Sequence, residues 1–513
     1  MTVTRPRVPA PAGPRRPSPP RPVALLALVG VLYGVAQLVL VSPRTGIGWD
    51  EAVYASQYAA HAPPAPFSAP RARGMPLLVA PVVAVTDSVL ALRLYLTAVS
   101  SLALVGAFAV WIRVRADRSV PLAALLFAGC WLSLFYGNEA MPNLYVALGG
   151  VAATGLLVLT VRAIRESAVR TGRGWDPGAR RAWGAAGGAD RRRLWGPAAG
   201  LAAALAVVSL MRPSDALVLA VPLAVAALVL LRRRALVPLA AVAAGLAVGW
   251  GQWLAEAEQA YGGVAARLRG AGQANLTGWT VSLAEHARAL DGPSLCRFGV
   301  RCGDVSPVAL AWWLAIPLMT LLGLWTARRA GGLGPLLLAA VTGAATALPY
   351  LFYVGYAAPR FLMPAYALLS LPVARAVTGL RPAGRWRAPV SALLAAGVLA
   401  HLALQGAYAY RMAAGTYRDR ERMELAAHAL REAGVRPPCL VYGQSGVQMG
   451  YLIGCDSQGV TQRFARRQPD RVRAAVDRGA QVVIVHTRVP LPPYARAWRP
   501  LDLPGRWQAR LAP

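Results

Sequence analysis

Lysine is absent from this chain of 513 residues, and acidic residues and histidines are few. All 54 basic residues are therefore arginines, against 22 acidic residues and five histidines. Charged residues make up only 15% of the chain, whereas hydrophobic residues make up 56%. Soluble globular proteins rarely have this balance, so we expect most of the chain to be embedded in a membrane.

The net charge of +32 would suit a nucleic-acid-binding protein if the basic residues were clustered beside a recognition motif. Here the arginines lie in short stretches between apolar runs, and coding bias explains the choice of arginine over lysine. We therefore predict that the protein has no nucleic-acid partner. The five histidines are scattered and show no metal-ligand spacing, so we predict no metal site in the protein itself.

Apolar runs near the length needed to cross a bilayer, roughly 20 residues, recur along most of the chain. They predict a polytopic α-helical membrane domain over residues 22–408, preceded by a disordered, proline- and arginine-rich cytoplasmic tail at 1–21. The apolar stretch Pro76 to Thr86 is too short to span and should lie at the interface or re-enter the membrane. The eleven predicted spans are 22–41, 89–112, 120–136, 142–161, 195–211, 214–231, 235–254, 308–326, 333–353, 361–379 and 388–408.

The arginines between spans are distributed asymmetrically, which predicts the orientation. Five lie in the tail and nine more between Arg162 and Arg193, whereas the short loops on the other side hold few. This bias predicts that the N-terminus lies on the cytoplasmic side of the membrane. The richness of the chain in arginine and alanine suggests that this is a bacterial plasma membrane. The predicted outer loops are then 43–88, 137–142 and 255–307.

Four of the five cysteines form two close pairs, Cys296 with Cys302 and Cys439 with Cys455. Such pairs suit disulfides in an oxidising compartment, and the predicted orientation places both pairs outside the cytoplasm. The fifth, Cys130, lies within an apolar run and is interpreted as a buried core residue.

The composition changes after the last predicted span. A charged helical stretch begins at Thr416, and strand-like runs follow at Cys439 to Tyr442 and Gln481 to His486. Residues 409–513 are therefore predicted to form a small extracytoplasmic α/β domain.

The first and second outer loops carry the most notable acidic residues. Asp50 and Glu51 stand side by side ahead of Tyr54, and adjacent carboxylates at a membrane surface need a balancing cation, hydrogen-bond network or shared proton. They are candidates for a catalytic acid or base; the alternative is that Asp50 caps a helix whose dipole Glu51 favours. Glu139, close to Asn143, either joins them at one opening or is an ordinary loop residue.

Two later outer turns carry single arginines. Arg212 stands before Ser214 and Asp215 and could hold an anion, unless the turn only caps the next helix. Arg360 is the sole charge of its turn, where a guanidinium group can bind phosphate oxygens in a bidentate way or extend to lipid headgroups.

The order of these motifs resembles the GT-C membrane glycosyltransferases, in particular the group of the protein O-mannosyltransferases and the lipid A aminoarabinose transferase. The resemblance rests on the first-loop Asp-Glu pair followed by Tyr54, a proline-bearing apolar stretch, Glu139, and the late turn from Pro359 to Pro364. It covers about 80% of the chain.

This resemblance implies that a sugar moves from a polyprenyl-phosphate carrier to an acceptor, with inversion at the anomeric carbon. Asp50 would be the general base, Glu51 would orient it or the sugar, and Glu139 would take the second-loop acidic position, with Asn143 as its alternative. Arg360 would stabilise the departing phosphate. The resemblance leaves room for a divalent cation between the phosphate and the carboxylates, and it names no acceptor.

Two other functions are compatible with parts of the sequence. A transporter or flippase of lipid-linked sugars would carry ionisable residues at the membrane midplane and repeated halves, whereas these carboxylates lie in outer loops and no internal repeat is present. An inactive relative acting as an envelope-assembly partner would be free to lose Asp50 and Glu51.

Overall fold

The computed structural model describes residues 22–170, 188–297, 302–380, 384–460, 463–487 and 489–513. The predicted tail at 1–21 lies outside the described residues. The described part is mostly helical, with one small sheet near the C-terminus.

Helices occupy all eleven segments predicted to span the membrane. Within the described residues, eight stretches are long and apolar enough to cross a bilayer, or nine if a pair bent by 69° between Ala128 and Trp131 counts as one span. One of the eight is the stretch Pro213–Ala260, which holds two helices joined by a single 3-10 turn. The fold is therefore the predicted polytopic helical one. The helices of this part are Pro22–Ala36 with its π-helical end Gln37–Val41, Val89–Val114, Ser119–Ala128, Trp131–Gly137, Pro142–Arg170, Gly188–Met211, Pro213–Leu231, Leu236–Ala260, Pro307–Ala330, Leu333–Phe352, Met363–Gly379 and Arg387–Glu432.

Shorter helices lie in the predicted outer loops. The first loop forms Trp49–Ala55, here called the loop helix, and Gly74–Val83, which is the short apolar stretch predicted from the sequence. The third predicted loop forms Val264–Asn275 and Leu283–Arg288. The turn before the late span is a 3-10 helix, Pro359–Leu362.

The last helix of the membrane part, Arg387–Glu432, is 46 residues long and is here called the long helix. It runs without a break through residue 409, where the C-terminal domain was predicted to begin. Its final turns carry Met423, Ala427 and Leu430, which pack into one of the two cores of the C-terminal domain. The long helix therefore belongs to both parts of the chain and connects them.

The C-terminal domain contains a mixed sheet of five strands, which are β1 Cys439–Gly443, β2 Asp456–Gly459, β3 Gln481–His486, β4 Arg499–Asp502 and β5 Gln508–Leu511. Their order in the sheet is β2-β1-β3-β5-β4. The first three strands are parallel, and β5 pairs antiparallel with β3 and β4. Strands β1 and β3 are buried on both faces, as expected for central parallel strands. The helices Gly446–Ile453 and Asp470–Asp477 connect β1 to β2 and β2 to β3, respectively.

Both predicted cysteine pairs are disulfides in the structure. Cys439 and Cys455 join β1 to the residue before β2, with a Cα–Cα distance of 4.9 Å. Cys296 and Cys302 lie 5.6 Å apart between their Cα atoms, and Cys130 is a buried free thiol. The backbone of Cys296 also exchanges two hydrogen bonds with Ala357, which attaches the third outer loop to the turn that carries Arg360.

The C-terminal domain packs directly against the first outer loop. Gly459, at the end of β2, lies so close to the Trp49 indole that a Cβ atom there would be 1.7 Å from it. The rings of His61 and Tyr451 meet edge to face with centroids 4.6 Å apart. The domain therefore packs on the loop helix and supports it.

Candidate functional site

The loop helix begins at Trp49, with Gly48 at its N-cap. The Glu51 carboxylate accepts a hydrogen bond of 2.8 Å from the Gly48 backbone N–H, which satisfies one of the free donors at the helix start. The alternative in which Asp50 is the capping residue is therefore wrong. Asp50 is the second residue of the helix, and its side chain is available for other contacts.

Asp50 lies between two arginines from distant parts of the chain. Its carboxylate pairs with Arg71 at 2.6 Å and with Arg360 at 3.4 Å, and its side chain remains 32% exposed. Burial raises the pKa of Asp50, but the two guanidinium groups outweigh burial and hold the pKa below its usual value of 3.8. Asp50 is thus an ionised, partly accessible carboxylate. The backbone carbonyl of Arg71 is in turn held by the fully buried Arg267 at 3.0 Å.

Arg360 and Arg212 approach the same aromatic ring. Their guanidinium carbons lie 5.4 and 5.1 Å from the centre of the Phe361 ring, and their side chains are 15% and 20% exposed. Arg360 also donates to the Ser294 carbonyl at 3.3 Å, while its buried Nε has no partner among the described residues. The arginine therefore points into the protein and toward Asp50, so the alternative in which it extends to lipid headgroups is wrong.

Arg212 is oriented by the helix that it precedes. It pairs with Asp215 at 3.1 Å, and Asp215 accepts a hydrogen bond from the Tyr350 hydroxyl. No side chain caps the start of the helix Pro213–Leu231, so a capping role for Asp215 is not observed. Arg212 and Arg360 together place two guanidinium groups beside one ring, an arrangement suited to a phosphate group.

Glu51 and Glu139 form a buried layer behind Asp50. Glu51 pairs with Arg93 and with Arg420, the latter at 3.2 Å, and Arg420 also pairs with Glu139 at 2.7 Å. The side chains of Glu51 and Glu139 are 1% and 6% exposed. Contrary to the expectation that all three carboxylates face one opening, these two lie behind the site.

The two buried carboxylates have opposite pKa shifts. Burial raises the pKa of Glu51, but Arg93 and Arg420 reverse this effect and lower the pKa to about 2. For Glu139, burial and the neighbouring charge of Glu51 raise the pKa above its usual 4.5, and Arg420 offsets this only in part. Glu51 is therefore firmly ionised, whereas Glu139 holds its charge less readily.

Arg93 connects the first and second predicted outer loops. Although it lies within the span Val89–Val114, it is fully buried and donates to the carbonyls of Thr45, Gly46 and Asn138 at 3.1, 2.7 and 2.8 Å. It also donates to Glu51 at 2.8 Å. A buried arginine with this many acceptors fixes the two loops relative to each other.

The remaining sequence candidates surround these ion pairs. The Arg71 guanidinium lies 4.8 Å from the centre of the buried Tyr54 ring. Asn143 is buried, and both of its amide atoms lack a hydrogen-bond partner among the described residues, as do those of Asn138. Unpartnered buried amides next to Glu139 are available for a polar ligand or water.

Three arginines of the site were not predicted from the sequence: Arg71, Arg93 and Arg420. Arg93 did carry a signal, because a lone charge inside an apolar span is costly unless it has a buried partner. Arg71 and Arg420 lie among other charged residues, and only the tertiary structure distinguishes them. In the described residues no group of three or more His, Cys, Asp or Glu side chains is arranged to hold a metal ion.

No protein-family model matches the chain, and no curated protein sequence does. Solved structures with similar folds do exist. ArnT from Cupriavidus metallidurans bound to undecaprenyl phosphate superposes with a TM-score of 0.62 at 13% identity, covering 95% of this chain and 98% of ArnT. Its apo structure superposes with a TM-score of 0.58 at 14% identity, covering 95% and 97%.

The archaeal oligosaccharyltransferase AglB from Archaeoglobus fulgidus, solved with an inhibitory peptide and a dolichol-phosphate, is also similar. It has a TM-score of 0.50 at 12% identity, covering 90% of this chain and 69% of AglB. At such low identity these similarities establish the fold. As the order of its loop motifs predicted, the chain has the fold of the GT-C membrane glycosyltransferases.

Proposed function

We propose that the protein is an inverting glycosyltransferase that moves a sugar from a polyprenyl-phosphate carrier to an acceptor at the outer face of a bacterial plasma membrane. The observation that carries the proposal is the accessible Asp50 carboxylate, 3.4 Å from Arg360. This arrangement pairs a base with a phosphate-binding group in a fold shared with ArnT, which was solved with undecaprenyl phosphate. The arginine bias between spans supports the outward orientation.

The proposed step is a single displacement. The acceptor hydroxyl attacks the anomeric carbon, Asp50 takes its proton, and the bond from that carbon to the phosphate oxygen breaks. The leaving polyprenyl phosphate develops negative charge, which Arg360 and Arg212 stabilise. Attack opposite the leaving group inverts the anomeric configuration.

Arg71 keeps Asp50 ionised before the acceptor arrives. The lowered pKa makes Asp50 a weak base, so proton transfer is favourable only when the donor phosphate draws Arg360 away and weakens the stabilisation of the carboxylate. Donor binding would therefore activate the base. A divalent cation at this position would have to compete with Arg71 and Arg360 for the same carboxylate.

The test is sugar transfer by the purified full-length protein in lipid nanodiscs, supplied with radiolabelled polyprenyl-phosphate sugars and an envelope extract. Asp50→Asn should lower the rate by about 10²- to 10⁴-fold, the usual contribution of general base catalysis. The exposed Asp477, at the end of a helix in the C-terminal domain, provides the matched control Asp477→Asn. Wild-type rates in Asp50→Asn would remove Asp50 from the mechanism.

The phosphate-binding part of the proposal has its own variant. Arg360→Met should cost about 10²- to 10³-fold in kcat, as loss of one charge-stabilising donor does in other enzymes. If the wild type binds a donor but never consumes one across the panel, transport or an inactive assembly role becomes the better interpretation.

A further inference from the structure

The third predicted outer loop exposes a group of large apolar side chains. Trp279 is 93% exposed and Val281 is 65% exposed, and Leu283 is also exposed. These three residues are here called the apolar edge. No charged residue lies between Arg269 and Glu285. Apolar side chains that are exposed together, with no charge among them, indicate a surface that an apolar phase or molecule covers.

The backbone fixes the apolar edge to the end of the span Leu333–Phe352. Every second residue here donates its backbone N–H to a carbonyl at or just beyond the end of this helix. These bonds run from Gly278 to Tyr353 at 2.9 Å, from Thr280 to Phe352 at 3.3 Å and from Ser282 to Leu351 at 2.9 Å. The intervening Trp279 and Val281 are the exposed residues. The edge is therefore held in place by its backbone, while its side chains are free to contact something else.

The span beside the edge has a lipid-facing side that leads to it. Leu337, Val341 and Leu348 are exposed and follow one another at spacings of four and seven residues, so they lie on one side of the helix. The helix is long and apolar enough to cross a bilayer, so this side faces acyl chains. Phe352, four residues beyond Leu348, is the residue to which Thr280 is bonded. The apolar edge therefore continues a lipid-facing surface at the level where the span ends.

The backbone of the edge also limits how deep it can lie. The N–H groups of Trp279 and Val281 have no acceptor within the described residues. An unpaired backbone group is costly in the hydrocarbon core, whereas water and lipid oxygens accept its hydrogen bond in the headgroup layer. An indole, which combines an apolar ring with one N–H donor, also accumulates at the membrane–water interface. Both groups fit the headgroup layer rather than the bilayer centre.

We propose that the apolar edge inserts into the headgroup layer of the lipid leaflet on the side of the predicted outer loops. A lipid leaflet fits this position better than a protein partner does, because the adjoining surface belongs to a membrane span and faces lipid in any case.

The inserted edge would fix the height of the turn that carries Arg360. The Ser282 hydroxyl donates to the Val354 carbonyl at 2.6 Å, and Cys296 of the same loop exchanges two hydrogen bonds with Ala357. Both contacts hold the connection between the end of the span and Arg360. This anchoring is independent of the chemistry that the site performs.

The test uses the full-length protein in lipid nanodiscs that hold one copy each. A nitroxide on the cysteine introduced by Val281→Cys leaves Trp279 in place, and electron paramagnetic resonance compares its accessibility to oxygen, which enters the membrane, with that to a nickel complex, which stays in water. Val341→Cys, within the span, is the control for the hydrocarbon core. Leu425→Cys, an exposed leucine in the later turns of the long helix, is the control for water. The wild type, whose free Cys130 is buried, gives the background.

The ratio of oxygen to nickel accessibility at position 281 should lie between those of the controls and exceed that at position 425 about threefold or more, as for a segment buried roughly 5–10 Å into the headgroup and acyl boundary. Adding Trp279→Gln should lower the ratio at position 281 about twofold or more, because it removes the main interfacial side chain. The matched control is Trp386→Gln, at another exposed tryptophan, which should leave the ratio unchanged.

Three results would overturn the inference. A ratio at position 281 equal to that at position 425 would place the edge in water and leave a protein partner as its occupant. A ratio equal to that at position 341 would place it in the hydrocarbon core. A ratio that changes on addition of polyprenyl phosphate, with the controls unchanged, would assign the edge to the chain of the donor instead of the leaflet.

Discussion

Arg420 gives the sharpest test of how the C-terminal part supports the site. It donates to the Gly46 carbonyl at 2.8 Å and pairs with Glu51 and Glu139 at 3.2 and 2.7 Å. Glu51 keeps Arg93 when Arg420 is replaced. Glu139 does not keep a cation, because Arg420 is the only one that pairs with it within the described residues.

Arg420→Met should therefore destabilise the fold by about 3–5 kcal/mol, the usual cost of leaving one partner of a buried ion pair without the other. The cost should depend on pH with a definite sign. The pKa of Glu139 is already raised, and loss of Arg420 raises it further. When the pH of the solution falls through this raised pKa, the carboxylate is protonated and the buried, unpaired charge disappears. The destabilisation should be larger at about pH 8 than at about pH 5.

Thermal unfolding of the purified protein in detergent, followed by near-UV circular dichroism, measures this effect. Glu139→Gln removes the charge that Arg420→Met leaves unpaired, so the double variant should be more stable than the sum of the single effects predicts, by roughly 0.5–3 kcal/mol. Additive effects, or a wild-type midpoint for Arg420→Met at pH 8, would show that this ion pair does not hold the long helix to the outer loops.

Other changes test the same arrangement. Gly459→Ala should displace the Trp49 indole and lower the free energy of unfolding by about 1–3 kcal/mol. It should also slow transfer, because Asp50 follows Trp49 in the loop helix. Gly415→Ala, with open space around it, is the control, and equal effects of the two substitutions would refute the argument. The value of kcat/KM for the donor, which reports the donor-free protein, should not fall between about pH 7 and pH 5 through protonation of Asp50, since Arg71 and Arg360 hold the pKa of Asp50 below its usual value of 3.8 there. If kcat/KM of the wild type fell as the pH was lowered toward 5, and a variant lacking Asp50 showed no such fall, the pairing of Asp50 with Arg71 and Arg360 would be contradicted.

Hydrophobic runs were enough to predict the helical membrane part, because a bilayer demands long apolar helices whatever their partners. The strand-like runs at Cys439 and Gln481 were likewise visible in the sequence, and the close cysteine pairs predicted the two disulfides. The continuity of the last helix was not visible, because the apolar pattern fades after residue 408 and the charged helical stretch from Thr416 was assigned to a separate domain, whereas one helix runs through both and packs into a core of the C-terminal domain.

For the site, the sequence by itself determined which residue types were out of place: paired carboxylates at a membrane surface and single arginines in short turns. Only the tertiary structure decided their partners. It placed Arg360 beside Asp50 and buried Glu51 and Glu139 with Arg420. It also showed that Arg93, one residue of an apolar span, links two loops. The physical reason is that a charge can be recognised as costly from its local sequence, whereas the countercharge that compensates it can come from any part of the chain that folding brings within a few ångströms.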